Sequence, residues 1–157
     1  MSRTARRRLR ITALLAAVVA CCLTACSIGP VKLTAPHPDA GGRAICAEVM
    51  AALPDRVLDR QRRSTEPADL TAAWGSPAIT LRCGVDQPPG MGPTSECLEV
   101  NGVGWYAEAG EGGTLFTTLG RKINIEVGVP SRYSPEATAL TDLSAAVSHD
   151  PVVLPCQ

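Results

Sequence analysis

Four cysteines spread through the body of the chain, Cys46, Cys83, Cys97 and Cys156, constrain its fold more than any other feature. In an exported protein, an even number of widely spaced cysteines reads as two disulfides, each tying together segments far apart in sequence. The competing reading, a four-thiolate zinc site, calls for close cysteine pairs, and the shortest spacing here runs from Cys83 to Cys97. Dithiol redox catalysis is excluded, because no C-x-x-C pair exists. The other three of the seven cysteines, Cys21, Cys22 and Cys26, crowd the end of an apolar run and need a separate account.

That account begins at the N-terminus. Met1 to Arg10 holds Arg3, Arg6, Arg7, Arg8 and Arg10 with no acid, and Ile11 to Leu23 carries no charge. A basic head followed by a short apolar stretch and small residues is the layout of an export signal. The run falls short of the ~20 residues of a comfortable bilayer span. Its exit, Leu23-Thr24-Ala25-Cys26, resembles the lipobox of bacterial lipoproteins. The Cys26 thiolate is the nucleophile that takes a diacylglyceryl group, and the small residues before it fit an intramembrane peptidase. The resemblance implies cleavage between Ala25 and Cys26, a lipid on Cys26, and a protein on the extracytoplasmic face of the cell membrane. Val18-Val19-Ala20-Cys21 satisfies the pattern loosely, and an uncleaved signal anchor gives the same topology. Arg6 to Arg8 hint at a twin-arginine route, though their neighbours fit it poorly. Cys21 and Cys22 then leave with the signal.

The chain therefore divides into a signal peptide (1–25), a proline-containing tether (26–41) and one globular domain (42–157). Removing the signal leaves 132 residues, enough for one domain with a real core. Loss of five arginines leaves ten basic against fifteen acidic residues, a net charge of −5. That balance argues against nucleic acid or an anionic surface as a general electrostatic partner.

Ser27 to Ala40 holds Pro30, Pro36 and Pro38 without amphipathic period, and predicts a semi-extended tether reaching about 40 Å from the membrane. Gly41 to Leu53 places Cys46, Val49, Met50 and Leu53 on one helical face and ends at Pro54. Asp55 to Pro77 is polar and reads as a loop with a short strand or helical turn. Its Arg56, Arg60, Arg62 and Arg63 suit a phosphate or lipid headgroup, or form a solvated face paired with Asp55, Asp59 and Glu66. Strand signals follow at Ala78–Cys83, at Leu98–Val100 and Val103–Glu108 around Asn101-Gly102, at Leu115–Leu119, and at Arg121–Val129. In the last, Ile123, Ile125, Val127 and Val129 alternate with Lys122, Asn124, Glu126 and Gly128, as in a sheet with one covered face. Ser134 as N-cap and Pro135 at the first helical position open a second helix, which Asp150-Pro151 stops. The expected fold is α+β: an antiparallel sheet of about four to five strands, two helices mainly on one face, and disulfide staples.

Alternation ranks the pairings. Cys83 and Cys46 both face the helix side, whereas Cys97 is out of phase with Leu98 and Val100 and looks to the other face or an edge. The expectation is Cys46–Cys83 and Cys97–Cys156.

The segments AAWGSPAITLRCGV, PTSECLEVNGVGWYAE, FTTLGRKINIEVGVP and ALTDLSAAV, in that order, resemble an actinobacterial family of exported proteins, domain of unknown function 3515. The likeness runs from about Ala44 to Cys156 and includes the four cysteines. It implies a role at the cell envelope and carries no activity onto particular residues.

Catalytic machinery is thin. His37 lies in the tether, and His149, between Ser148 and Asp150 at a helix end, makes no triad, which needs residues from separate elements. No paired carboxylates, metal-spaced cluster or cofactor motif stands out, and no catalytic residue, metal ligand or cofactor is assigned. The candidate binding element is the loop Gly84 to Glu96, with Pro88, Pro89 and Pro93 as stiffeners and Met91 as an apolar contact. Two functions follow: a lipid-anchored module binding an envelope protein or wall component, or a small extracytoplasmic enzyme acting on wall or lipid material. The enzyme would use an acid such as Glu99, Glu108 or Glu126.

Overall fold

A computed structural model describes residues 29–156, so Cys21, Cys22 and the lipidation assigned to Cys26 lie outside the described residues. In chain order the elements are β1 (Val31–Lys32), α1 (Ala40–Ala52), β2 (Arg56–Val57), β3 (Arg60–Arg63), β4 (Thr65–Glu66), β5 (Thr71–Trp74) and β6 (Ile79–Val85). They continue with β7 (Leu98–Val100), β8 (Val103–Gly110), β9 (Gly113–Thr118), β10 (Asn124–Pro130), a 3-10 turn (Ser131–Tyr133) and α2 (Thr138–Val147). Eight strands form one sheet in the order β2-β3-β5-β6-β10-β9-β8-β7, every pair antiparallel, while β1 and β4 pair in parallel beside it.

The α+β class with two helices holds, but the sheet has eight strands in place of four to five. The additional strands β2, β3 and β5 come from the polar stretch expected to be a loop. β3 reads Arg-Gln-Arg-Arg, three of its residues are exposed, and it lies one strand from the sheet edge. A strand whose side chains face water shows no apolar alternation, so only its backbone pairing reveals it. Its neighbour β5 is buried along its whole length. Trp74 there is fully buried and donates its indole N–H to the Pro54 carbonyl at 3.0 Å.

α1 starts where the Asp39 carboxylate accepts the Gly42 N–H at 2.7 Å, and it buries Cys46 and Val49 against β6 and α2. α2 packs on β2, β7 and β10. Below the helices lie Leu81, Ile125, Val127, Trp74 and Trp105, all fully buried. With two tryptophans and one phenylalanine in the whole chain, truncating either tryptophan to alanine costs about 3–5 kcal/mol.

The second helix begins a turn later than Ser134-Pro135 predicts. Ser134 closes the preceding 3-10 turn by donating its N–H to the Ser131 carbonyl at 3.1 Å. Pro135 and Glu136 accept from Thr138 and Ala139, and the helix runs from Thr138 without a side-chain cap.

Both expected disulfides form. Cys46–Cys83 spans 5.7 Å between Cα atoms and Cys97–Cys156 spans 5.8 Å, within the usual range. Cys46–Cys83 staples α1 to β6 on the helix face. Cys97–Cys156 lies on the open face, directly over Gly104, where a Cβ would come within 2.7 Å of the Cys156 sulfur. Two disulfides point to an extracytoplasmic location.

The proline-containing segment does not run free of the domain from Gly29 onward. The Val31 N–H donates to the Ser64 carbonyl at 2.9 Å, Leu33 to Glu66 at 3.0 Å, and Pro36 is buried. The Pro38 ring sits against Gly84, whose φ of +85° and lack of a Cβ permit the approach.

Candidate functional site

Opposite the helices, strand pairing puts Arg82, Glu126, Thr117 and Tyr106 in one row across the sheet and Thr80, Gly128, Leu115 and Glu108 in the next. This open face is crossed by the proline loop. The loop joins β6, fourth in the sheet order, to β7 at the far edge, passing over β10, β9 and β8. At about 4.8 Å per strand spacing it covers roughly 19 Å. Gly90 passes so close to the Tyr106 hydroxyl that a Cβ there would lie 2.5 Å from it.

Local hydrogen bonds hold the loop in shape. Met91 N–H donates to the Pro88 carbonyl at 3.0 Å, and the Gln87 amide donates to the Met91 carbonyl at 2.6 Å. Ser95 N–H reaches the Gly92 carbonyl at 3.1 Å, while the Ser95 hydroxyl accepts from Gly92 N–H at 2.8 Å. Cys97 ties the far end to the C-terminal tail.

The four loop residues singled out in the sequence take different positions. Pro88 and Pro89 line a cleft of about 410 Å³ together with the N-terminal segment. Met91 is not the exposed apolar contact expected; it is only 7% exposed, turned inward by the bend that its two backbone bonds enforce. Pro93 is exposed and lies beside the Cys97–Cys156 bridge, away from the cleft.

The cleft also gathers residues that sequence distance keeps apart. His37 and Pro36 come from the N-terminal segment, Arg82 from β6, Glu108 from β8 and Glu126 from β10. Arg82 donates from Nε and Nη2 to the two carboxylate oxygens of Glu126, both at 2.9 Å, with each side chain largely covered. Such a two-pronged pair is fixed in orientation. Among the described residues, Glu108 makes no side-chain hydrogen bond or ion pair. Glu99 is exposed on β7 at the far edge and is not part of the cleft. His149 is exposed just beyond α2.

One ionisable group of note has only a weak signal in the sequence. Asp150 is fully buried. Its Oδ2 accepts the Ile123 N–H at 3.4 Å, and Oδ1 has no partner among the described residues. Burial pushes its pKa up from 3.8 to about 6, against the opposing pull of the Ile123 N–H and the Arg121 cation. Arg121 also donates to the Asp150 carbonyl, so the end of α2 is clasped to the turn before β10. The Asp-Pro pair signals a helix end; the burial depends on that turn folding over it. Asp150 does not line the cleft.

The family model described as "Protein of unknown function (DUF3515)" matches residues 9–152 of the chain. No curated protein and no solved structure matches.

Proposed function

We propose, from the premise that this chain belongs to the DUF3515 family, that it is an exported, lipid-anchored module of the cell envelope. In this reading Cys26 carries the lipid, and the open-face cleft binds an envelope protein or a wall component without catalysis. The observation that supports binding over chemistry is the construction of the cleft. One wall is a proline-stiffened loop fastened at its far end by a disulfide, and the floor is an ion pair whose acid already has both oxygens engaged. A rigid wall lowers the ordering cost of recognition. A general acid or base needs a group free to exchange a proton with substrate, and Glu126 is held by Arg82.

The enzyme reading retains one specific support, since Glu108, Glu126 and His37 share the cleft. A photo-crosslinking residue at Pro89, installed in living cells, tests the first reading. Recovery of one discrete partner, lost when Pro88 and Pro89 are replaced by glycine, is the expected result. Loss of the cellular phenotype in Glu108→Ala, with crosslinking intact, would overturn it in favour of catalysis. Cys26→Ser is expected to abolish lipid labelling, and unchanged labelling would reject the anchor.

A further inference from the structure

The arginines of β2 and β3 lack the partners the sequence offers them. Among the described residues, no ion pair within 4.0 Å joins Arg56, Arg60, Arg62 or Arg63 to Asp55, Asp59 or Glu66. Aromatic rings hold Arg60 and Arg62, and carbonyls hold Arg63. The Arg60 guanidinium lies 5.7 Å from the centre of the Tyr133 ring, and that of Arg62 lies 5.9 Å from Trp74. Stacking of this kind restrains a long side chain while its donors stay available. Arg56, Arg60 and Arg62 are exposed, at the β2–β3 edge of the sheet.

The position of this edge relative to the N-terminus gives it meaning. Arg63 donates from Nη1 to the Gly75 carbonyl at 2.9 Å and from Nη2 to the Gly29 carbonyl at 3.1 Å. The chain then enters β1, which pairs with β4 immediately after β3. Cys26 is three residues before Gly29, a span of at most about 11 Å when fully extended. An anchor at Cys26 therefore holds the arginine edge at headgroup distance, far short of the 40 Å that a free tether allows.

We infer that the β2–β3 edge docks on anionic phospholipid headgroups, laying the domain on its membrane by that edge. The inference deepens the proposed anchoring and rests on it. With that edge docked, the crossing loop ends at the β7 edge, the side of the sheet farthest from the bilayer. Asp55, Asp59 and Glu66 flank the strands, and Asp142 accepts the Leu58 N–H in the turn between them at 2.8 Å, so these four acids weaken the attraction. Each arginine at an anionic surface favours the docked state by about five-fold.

The test uses the lipidated full-length product in vesicles of phosphatidylcholine alone, or of phosphatidylcholine and phosphatidylglycerol in equal parts. The rate at which phenylglyoxal modifies each arginine is read by peptide mapping, with exposed Arg43 on α1 as internal reference. The expected result is at least about five-fold slower modification of Arg56, Arg60 and Arg62 on the anionic vesicles, with Arg43 unchanged. Protection is expected to vanish near 1 M salt, where the screening length is about 3 Å, and to increase in Asp59→Asn. Equal rates on both vesicles would overturn the inference. Lipid labelling of Cys26 is measured separately. Labelling with equal rates rejects the docking edge alone, whereas protection without labelling rejects the lipid and keeps the edge.

Discussion

Asp150→Asn offers the sharpest test of the buried carboxyl. Burial raises the folded-state pKa from 3.8 to about 6, so between those values the folded protein binds more protons than the unfolded chain. Stability from this group is fully present below pH 3.8 and is lost as pH rises through about 6. The shift of roughly two pKa units corresponds to about 3 kcal/mol. Urea unfolding between pH 4 and 8 measures it. With a urea slope of about 1–3 kcal/mol per molar, the wild-type midpoint carries a fall of at least about 1 M from this group alone. Other carboxylates titrate over the same range, so the quantity to follow is the wild-type minus variant difference. Asparagine keeps an oxygen for the Ile123 N–H and removes the ionisation, so the difference is expected to change between pH 3.8 and about 6 and to level off above that. The absolute stability of the variant carries a separate cost of about 1–3 kcal/mol for an amide N–H without a partner, and that cost does not vary with pH. A difference flat from pH 4 to 8 would refute the reasoning.

Replacing Cys97 and Cys156 together by alanine is expected to cost about 4 kcal/mol in the chain-entropy account, measured by chemical denaturation. It should also expose residues 86–96 to proteolysis under native conditions, whereas removing Cys46 and Cys83 should lower global stability by a similar amount without selective cleavage there. Gly104→Ala drives a methyl group to within 2.7 Å of the Cys156 sulfur and 2.9 Å of the Cys97 sulfur, and should cost about 1–3 kcal/mol. A double-mutant cycle with the Cys97–Cys156 pair should show most of that cost disappearing once the bridge is gone. A cycle between Arg82→Met and Glu126→Gln should return a coupling of about 1–3 kcal/mol, and a coupling near zero would reject the two-pronged pair as a fixed cleft floor.

The elements with periodic burial were legible. Cys46, Val49 and Leu53 announce α1; Ile125, Val127 and Val129 announce β10; Asn101-Gly102 announces the β7–β8 turn, where both residues adopt positive φ. Even the disulfide pairing followed from phase, because Cys83 sits among the helix-facing residues of β6 and Cys97 does not. The polar strands were not legible. β3 faces water, and its assignment depends on hydrogen bonds to β2 and β5, which amino-acid type does not encode. Met91 misled for a related reason: proline-rich composition marks a stiff exposed loop, while the direction in which that loop folds depends on the sheet beneath it.

By itself, the sequence determined the α+β class, the two helices and the two disulfides. These rest on local chemistry or on a fixed side-chain period. Only the tertiary structure decided the cleft and the arginine edge. His37, Arg82, Glu108 and Glu126 lie on separate elements and meet because β10 inserts between β6 and β9 while the N-terminal segment folds back along the domain. The same fold-back brings the Gly29 carbonyl to Arg63 and turns a run of arginines with no periodic signal into an edge beside the N-terminal segment. Local periods report which side of an element is buried; which elements come together is decided by long-range strand pairing, and pairing leaves almost no trace in any single stretch of chain.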